Sequence, residues 1–285
     1  MTNLIRLHEA LRTKGYEHSA YLAFNISDPK PRNIHKASVK DRLVHYAIYR
    51  ILYPYFDKRF IHDSYSCRIG KGTHKAIRQF KKYFYKVSKN NTRTCWVLKC
   101  DVRKFFASID HTMLVRILEW HIKDTDTVWL LNRIIKSFDS GTPGKGLPLG
   151  NLTSQLLVNI YMNEFDQFVK HELKMKFYVR YADDFVFLHH DRQELGMLLP
   201  KIHEYLQTNL KLSLHPDKVF IATFSSGVDF LGWVHFPDHH VLRTATLRRM
   251  KKNIFLTDRH PATLASYRGL LSHGNTYKIR RDLML

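Results

Sequence analysis

Residues 177–190 read FYVRYADDFVFLHH, and the fold is decided there. Two adjacent acids, Asp183 and Asp184, sit between the apolar runs Phe177-Tyr178-Val179 and Phe185-Val186-Phe187-Leu188. Aromatic and β-branched residues on both flanks favour strands. The economical reading is a hairpin of two buried strands with the acids at its turn, where Asp is tolerated. Neighbouring carboxylates at a buried turn repel, which raises one pKa unless a cation neutralises them. Hard oxygens so clustered suit Mg²⁺, which takes one or two carboxylates and completes its shell with water and phosphate. Taken alone, the pair reads more simply as a polar turn between strands.

The rest of the chain changes that balance. At 285 residues it is long enough for one large core or two smaller ones, and 44% hydrophobic with 13% aromatic residues is ordinary for a globular protein. The charge is not ordinary: 46 Lys and Arg against 25 Asp and Glu give a net +21. The cations run along the whole chain, which suggests a broad electropositive groove for a phosphate backbone. A membrane surface is not expected, because no long apolar run, amphipathic anchor or lipidation signal appears. No secretory signal opens the chain, and the three cysteines make neither a CxxC nor an even set, so a reducing, cytoplasmic setting is expected. The 18 histidines are scattered and include no HExxH zinc motif.

In chain order, a helix fragment and a strand over Tyr21-Leu22-Ala23-Phe24 lead to the Pro-broken basic turn Asp28-Pro29-Lys30-Pro31-Arg32. Lys30 and Arg32 suit a triphosphate, or are simply solvated. Residues 38–60 carry apolar positions at helical spacing, with Pro54 expected to stop the helix. Residues 64–74 form a basic Gly-containing loop. Residues 76–87 read as a basic, aromatic helix, suited to a template channel or to plain core packing. Residues 95–101, CWVLKCD, read as a buried strand that delivers Asp101 to its end. Ser108-Ile109-Asp110 reads as a helix cap, and residues 107–135 as mostly helical. Residues 141–150 hold four Gly and two Pro and form a loop. It enters a long helix expected over 156–171, a generic nucleotide platform. A helix over 193–210, a strand at Phe220-Ile221-Ala222 and an apolar hairpin over 228–236 follow. The acids Asp101, Asp183 and Asp184 thus stand at or near strand ends. Brought together they suit two Mg²⁺ ions for phosphoryl transfer, in a polymerase or equally in a two-metal nuclease.

The order of motifs resolves that choice by resemblance. KPR, DR, RIGKGTH, CDVRKFFASIDH, GLPLGNLTSQLLVNIYMNEFD, RYADDFVFL, HPDK and FLGW resemble the consecutive blocks of a reverse transcriptase, over about residues 29–236. The resemblance implies an α+β right-hand polymerase: fingers over 1–94, a palm of antiparallel sheet on helices with part of the fingers over 95–236, and a short helical thumb over 237–285. It implies that Asp101, Asp183 and the Val102 carbonyl hold two Mg²⁺, with Mn²⁺ as the alternative, and that Asp184 supports them. Phe106 would be the gate against the ribose 2′-hydroxyl, although core packing is the simpler reading of that residue by itself. Lys218 would protonate the leaving pyrophosphate. Lys30, Arg32, Leu149, Gly150 and Gln155 would meet the incoming dNTP. Phe230, Leu231, Gly232 and Trp233 would form the primer grip, or a core hairpin. Template RNA, a DNA or RNA primer and dNTPs are the implied partners.

The form Leu149-Gly150-Asn151-Leu152-Thr153-Ser154-Gln155 resembles the reverse transcriptases of diversity-generating retroelements, in which Leu stands where most relatives have Gln before the Gly. That implies errors concentrated opposite template adenine and a small basic oligomeric accessory protein. Losing a Gln amide near the nucleotide weakens base selection by about 1–3 kcal/mol. The region before Lys30 and the thumb are expected to be short relative to the family. The competing readings are a group II intron-like or antiphage-defence reverse transcriptase without the mutagenic role, and a non-catalytic RNA-binding palm.

Overall fold

The computed structural model describes residues 2–27 and 31–283. The first segments are α1 (Thr2–Arg12), β1 (Leu22–Ile26), β2 (Arg32–Lys36), α2 (Val39–Asp57) and α3 (Thr73–Val87). The middle of the chain holds β3 (Trp96–Asp101), the short α4 (Phe105–Ser108), α5 (His111–His121), α6 (Thr125–Ile135) and α7 (Leu152–Gln167). Then come β4 (Tyr178–Tyr181), β5 (Asp184–His189), α8 (Arg192–Leu210), β6 (Phe220–Thr223), β7 (Val228–Phe230) and β8 (Trp233–His235). The chain closes with β9 (His240–Leu242), α9 (Thr244–Leu256), α10 (Pro261–Leu271) and α11 (Tyr277–Asp282). The fold is α+β, as the motif series implies.

Its centre is an antiparallel sheet in the order β4-β5-β3-β6. Period-two alternation sends Leu98, Cys100, Tyr178, Phe185 and Phe187 into one core with α7 and α8. Val97, Val179, Val186 and Leu188 enter a second core with Phe80 and Phe84 of α3. By the same alternation Lys99 and Asp101 on β3 and Asp184 on β5 share the α3 side. Register then sets Asp101 opposite Asp184 at the sheet's end.

Three expectations shift. Pro54 lies inside α2, which runs on to Asp57. Phe56 extends the buried face of Val44, Ile48 and Leu52, and the hydrogen bond Pro54 forfeits lies on the exposed side, where its loss costs least. The central helix α7 begins at Leu152, four residues earlier than expected, because polar Thr153 and Ser154 are buried and form its first turn. It ends in one wider turn, Phe168–Glu172. Arg32 begins a strand paired with β1 and does not end a free turn.

Past the central sheet, β7, β8 and β9 form a separate three-stranded antiparallel sheet. Trp233 is buried there among Leu242, Met250, Ile254 and Leu271. It packs so closely on residue 274 that a Cβ added to Gly274 would lie 2.1 Å from the indole ring. Among the described residues no helix is long and apolar enough to cross a membrane. Trp233→Ala is expected to cost about 3–5 kcal/mol and to open residues 244–283 to limited proteolysis before the central sheet. Simultaneous cleavage of both regions would show that Trp233 does not hold the C-terminal helices by itself.

Candidate active site

The hairpin between β4 and β5 turns through Ala182, in the left-handed region at φ 57°, and Asp183. Asp184 is already the first residue of β5. The carbonyl of Asp183 accepts from the Val102 amide at 3.1 Å, so the turn is fastened to the end of β3. On its other side, the Asp101 carbonyl accepts from the His215 amide at 2.8 Å, and Lys218 Nζ lies 2.9 Å from Asp101 Oδ1. Three separate segments thereby converge on the acids: 101–102, 183–184 and the HPDK turn.

Three acids meet here in a chain of net +21, against the two paired lysines Lys99 and Lys218. Burial, then the charge of Asp101, pushes the Asp183 carboxyl above its ordinary range, against Lys218 and Arg32. Asp184 is pushed up to about 7, first by burial and then by Asp101 and Asp183, with Lys99 opposing. Lys99 Nζ lies 3.3 Å from Asp184 Oδ2, while Asp184 Oδ1 is buried with no hydrogen-bond partner. Among the described residues no three His, Cys, Asp or Glu side chains converge into a ready-made metal cage. An orphaned carboxylate oxygen and under-compensated hard acids nonetheless fit a cation that draws its remaining ligands from phosphate and water.

Two residues passed over in the sequence matter here. Lys99, two positions before Asp101, is only 6% exposed and is the counter-charge to Asp184; strand alternation was the available signal. Arg180 is completely buried and grips Asp166 of α7 with two hydrogen bonds, at 2.8 and 2.6 Å. It also donates to Ser64 Oγ at 3.0 Å, to Asn159 Oδ1 at 3.3 Å and to the Ala182 carbonyl at 3.1 Å. A lone cation in an apolar strand was its signal.

The other expected residues fall in three places. Arg32 is exposed on β2, near enough for its charge to act on Asp183. Three residues on, His35 is bonded to the glycine loop: its amide donates to the Leu149 carbonyl at 2.9 Å, and its carbonyl accepts from Asn151 Nδ2 at 2.8 Å. Gly150, at φ 100°, leaves no room for a side chain, since a Cβ would meet Ile34 Cγ2 at 2.7 Å. Gln155 and Leu149 are half-buried, and Phe106 packs edge-on to Phe105 with its carbonyl bonded to Leu147. Phe230 and Trp233 are core residues, as the hairpin alternative had it, and only the Leu231-Gly232 turn between them is partly open. Lys30 lies outside the described residues.

Two outcomes test this electrostatic account. A folded carboxyl raised to about 7 holds its proton where the unfolded chain has released it. The stability this gives is present at low pH and lost as pH rises through about 7. Without divalent cations, Asp184→Asn is therefore expected to melt at least about 2–4 °C above the parent at pH 8.5, the gap narrowing as pH falls and closing only near pH 4, where the unfolded carboxyl is protonated too. Equal melting at pH 8.5 would mean that Lys99 already neutralises Asp184. Arg180→Met leaves Asp166 buried without its partner and is expected to lose about 3–5 kcal/mol in denaturant titration; a loss under 1 kcal/mol would remove the pair from its place as an anchor.

Residues 27–235 match the family model described as reverse transcriptase (RNA-dependent DNA polymerase). Among curated proteins, the chain is 28% identical over 244 residues to protein YkfC of Escherichia coli, covering 72% of this chain and 63% of that one. It is 24% identical over 280 residues to the group II intron-encoded protein LtrA of Lactococcus lactis, covering 74% of this chain and 45% of that one. The chain thus spans less than two thirds of either relative. Among solved structures, apo telomerase from Candida tropicalis, truncated from its C-terminal domain, superposes with a TM-score of 0.59 at 11% identity, covering 85% of this chain and 60% of that one. Telomerase from Candida albicans, in complex with a fragment of telomeric RNA, also gives 0.59 at 11% identity, over 84% and 49%. These structural likenesses bear on the fold, which is that of the polymerase palm and its surroundings. With the family model matching well over half of its residues, the chain belongs to the reverse transcriptase (RNA-dependent DNA polymerase) family.

Proposed function

We propose that the chain is an RNA-directed DNA polymerase. The observation that carries this is the cluster of Asp101, Asp183 and Asp184 at one end of the central sheet, with Lys218 on Asp101. Asp101, Asp183 and the Val102 carbonyl would hold two Mg²⁺, or Mn²⁺, which when bound lower the pKa of the primer 3′-hydroxyl and neutralise charge on the leaving pyrophosphate. Asp184, paired with Lys99, supports the acids from behind. Lys218 would give a proton to the leaving group, and Arg32 would hold the triphosphate. Phe106 limits the space at the sugar. Leu149, Gly150 and Gln155 form the platform for the base and sugar. Lys30 is assigned to the same nucleotide by motif order alone. The Leu231-Gly232 turn meets the primer through its backbone, while Phe230 and Trp233 hold that turn in shape. Residues 1–94 act as fingers, 95–236 as palm with part of the fingers, and 237–285 as a minimal thumb. The basic helix α3, with His74, Lys75, Arg78 and Lys82 exposed, suits template RNA.

The finer reading is an error-prone enzyme of a diversity-generating retroelement, copying a template-repeat RNA together with a small basic oligomeric accessory protein. Leu149 supports it, since an alkyl side chain cannot supply the amide that helps select the base. The similarity to LtrA favours a second reading, an intron-type enzyme without the mutagenic role. Primer extension on adenine-containing RNA with Mg²⁺ and four dNTPs, followed by cDNA sequencing, separates them. Asp183→Asn is expected to abolish extension. Errors should concentrate opposite adenine and fall about 5- to 150-fold in Leu149→Gln, the equivalent of 1–3 kcal/mol. Faithful copying by the parent chain sinks the retroelement reading and keeps the polymerase. Extension that survives Asp183→Asn sinks the site assignment.

A further inference from the structure

Thr153, three residues after Gly150, belongs to the first turn of α7. Its hydroxyl lies 3.0 Å from Nδ1 of His45 on α2. The other nitrogen of that ring, Nε2, lies 3.1 Å from Nε2 of His18. His18 Nδ1 is in turn 2.6 Å from the Ser19 carbonyl. Thr153 and His45 are 1% and 2% exposed and the His18 side chain 1%, so water does not serve these groups. Behind His18 stands Asp41, fully buried, 4.0 Å from His18 Nδ1 and hydrogen-bonded to Tyr16, Ser38 and the Ser19 amide. Tyr21 stacks on the His18 ring with centroids 4.6 Å apart.

A carbonyl only accepts, so His18 Nδ1 carries a proton. Between the two Nε2 atoms, 3.1 Å apart, one nitrogen donates and the other accepts. The tautomer of His45 is thereby fixed from the His18 side, and its Nδ1 meets the Thr153 hydroxyl in one fixed role. Burial, and next the neighbouring His18, lowers His45 to about 4, in keeping with a neutral ring.

We propose that His45, oriented by His18, is a positioning residue for nucleotide binding: it fixes the Thr153 hydroxyl and so sets the first turn of α7 that carries the 149–155 platform. The inference rests on the platform reading of those residues. Thr153 is not alone in tying the platform to the fingers, since His35 binds Leu149 and Asn151 from the neighbouring strand. The two tethers differ in kind. His35 holds the loop by its main chain, whereas His45 acts through a side-chain hydroxyl that substitution can remove.

The test is steady-state extension by the full chain on a fixed RNA template and primer, varying dNTP. Thr153→Val keeps the shape and deletes the hydroxyl. It is expected to raise KM for dNTP roughly tenfold with kcat within about twofold, and Thr153→Ser, which restores the hydroxyl, to return KM to within about threefold of the parent. An unchanged KM, or a fall in kcat alone, overturns the proposal. Leu149→Gln and Gln155→Ala run beside it. If they move KM and Thr153→Val does not, the positioning role fails and the platform reading stands; if none of the three moves it, both fail. Nitrogen-15 histidine spectra of the parent chain need no variant: His45 should appear as one fixed neutral tautomer. A His45 ring that averages between tautomers overturns the proposal even if Thr153→Val does not fold.

Discussion

The structure depends most on one buried ion pair, Arg180 with Asp166. An unpaired guanidinium at this depth is too costly to survive folding, so Arg180 must be fully engaged wherever it goes. Its partners come from α7, from the 63–66 loop and from the Ala182 carbonyl in the acidic turn. The backbone repeats the connection, with the Arg180 amide bonded to the Asp63 carbonyl and the Tyr65 amide to the Arg180 carbonyl. Tyr178, two residues back on the same face, shares Asp166 at 2.8 Å. A planar fork with five donors suits this task, because its directions are fixed and a small movement of any partner leaves a buried donor unpaired. The left-handed turn at Ala182 is thereby held by satisfaction of polar groups as much as by strand pairing.

That rigidity permits the electrostatics in front of it. Three carboxylates at the end of β3 and β5 repel one another, and a looser hairpin would relieve the repulsion by swinging Asp183 into solvent. The Val102–Asp183 bond at one side and Arg180 at the other prevent this. Lys99 and Lys218 offset only part of the charge, one from the interior and one from the open side. What remains is a site with too much negative charge for itself, within a chain whose surface carries the opposite sign. An arrangement of that kind attracts a cation to one point and a polyanion to the area around it.

The sequence made the sheet legible and left its supports hidden, for a physical reason. The hairpin at 177–190 and the strand ending at Asp101 follow from alternation and from β-branched and aromatic content, properties of a few adjacent residues. The early start of α7 and the passage of α2 through Pro54 depend on partners far along the chain, whereas the β1–β2 pairing that seats Arg32 joins near neighbours whose mostly exposed residues carry little strand signal. Thr153 and Ser154 look like loop residues until His45, 108 positions away, is beside Thr153. The same holds within the site. Asp101, Asp183 and Asp184 could be placed at strand ends from local pattern, whereas the hydrogen-bonded chain of His18 and His45 has no spacing that announces it. Phe230 and Trp233 show the converse: the hairpin was legible, and their rings lie in the core.

The main chain around Leu149 holds the loop independently of the side chain there. The carbonyl of Leu149 takes the His35 amide, Asn151 takes the His35 carbonyl, and Gly150 is confined by Ile34. None of these bonds uses the side chain at position 149, which is half-buried. The loop's position is therefore set by backbone and by Asn151, Thr153 and Gly150, and the chemistry offered at 149 is separable from it. An amide or an alkyl group can stand there on the same frame. The side chain at 149 can therefore be exchanged while the bonds between β2 and the loop stay as they are.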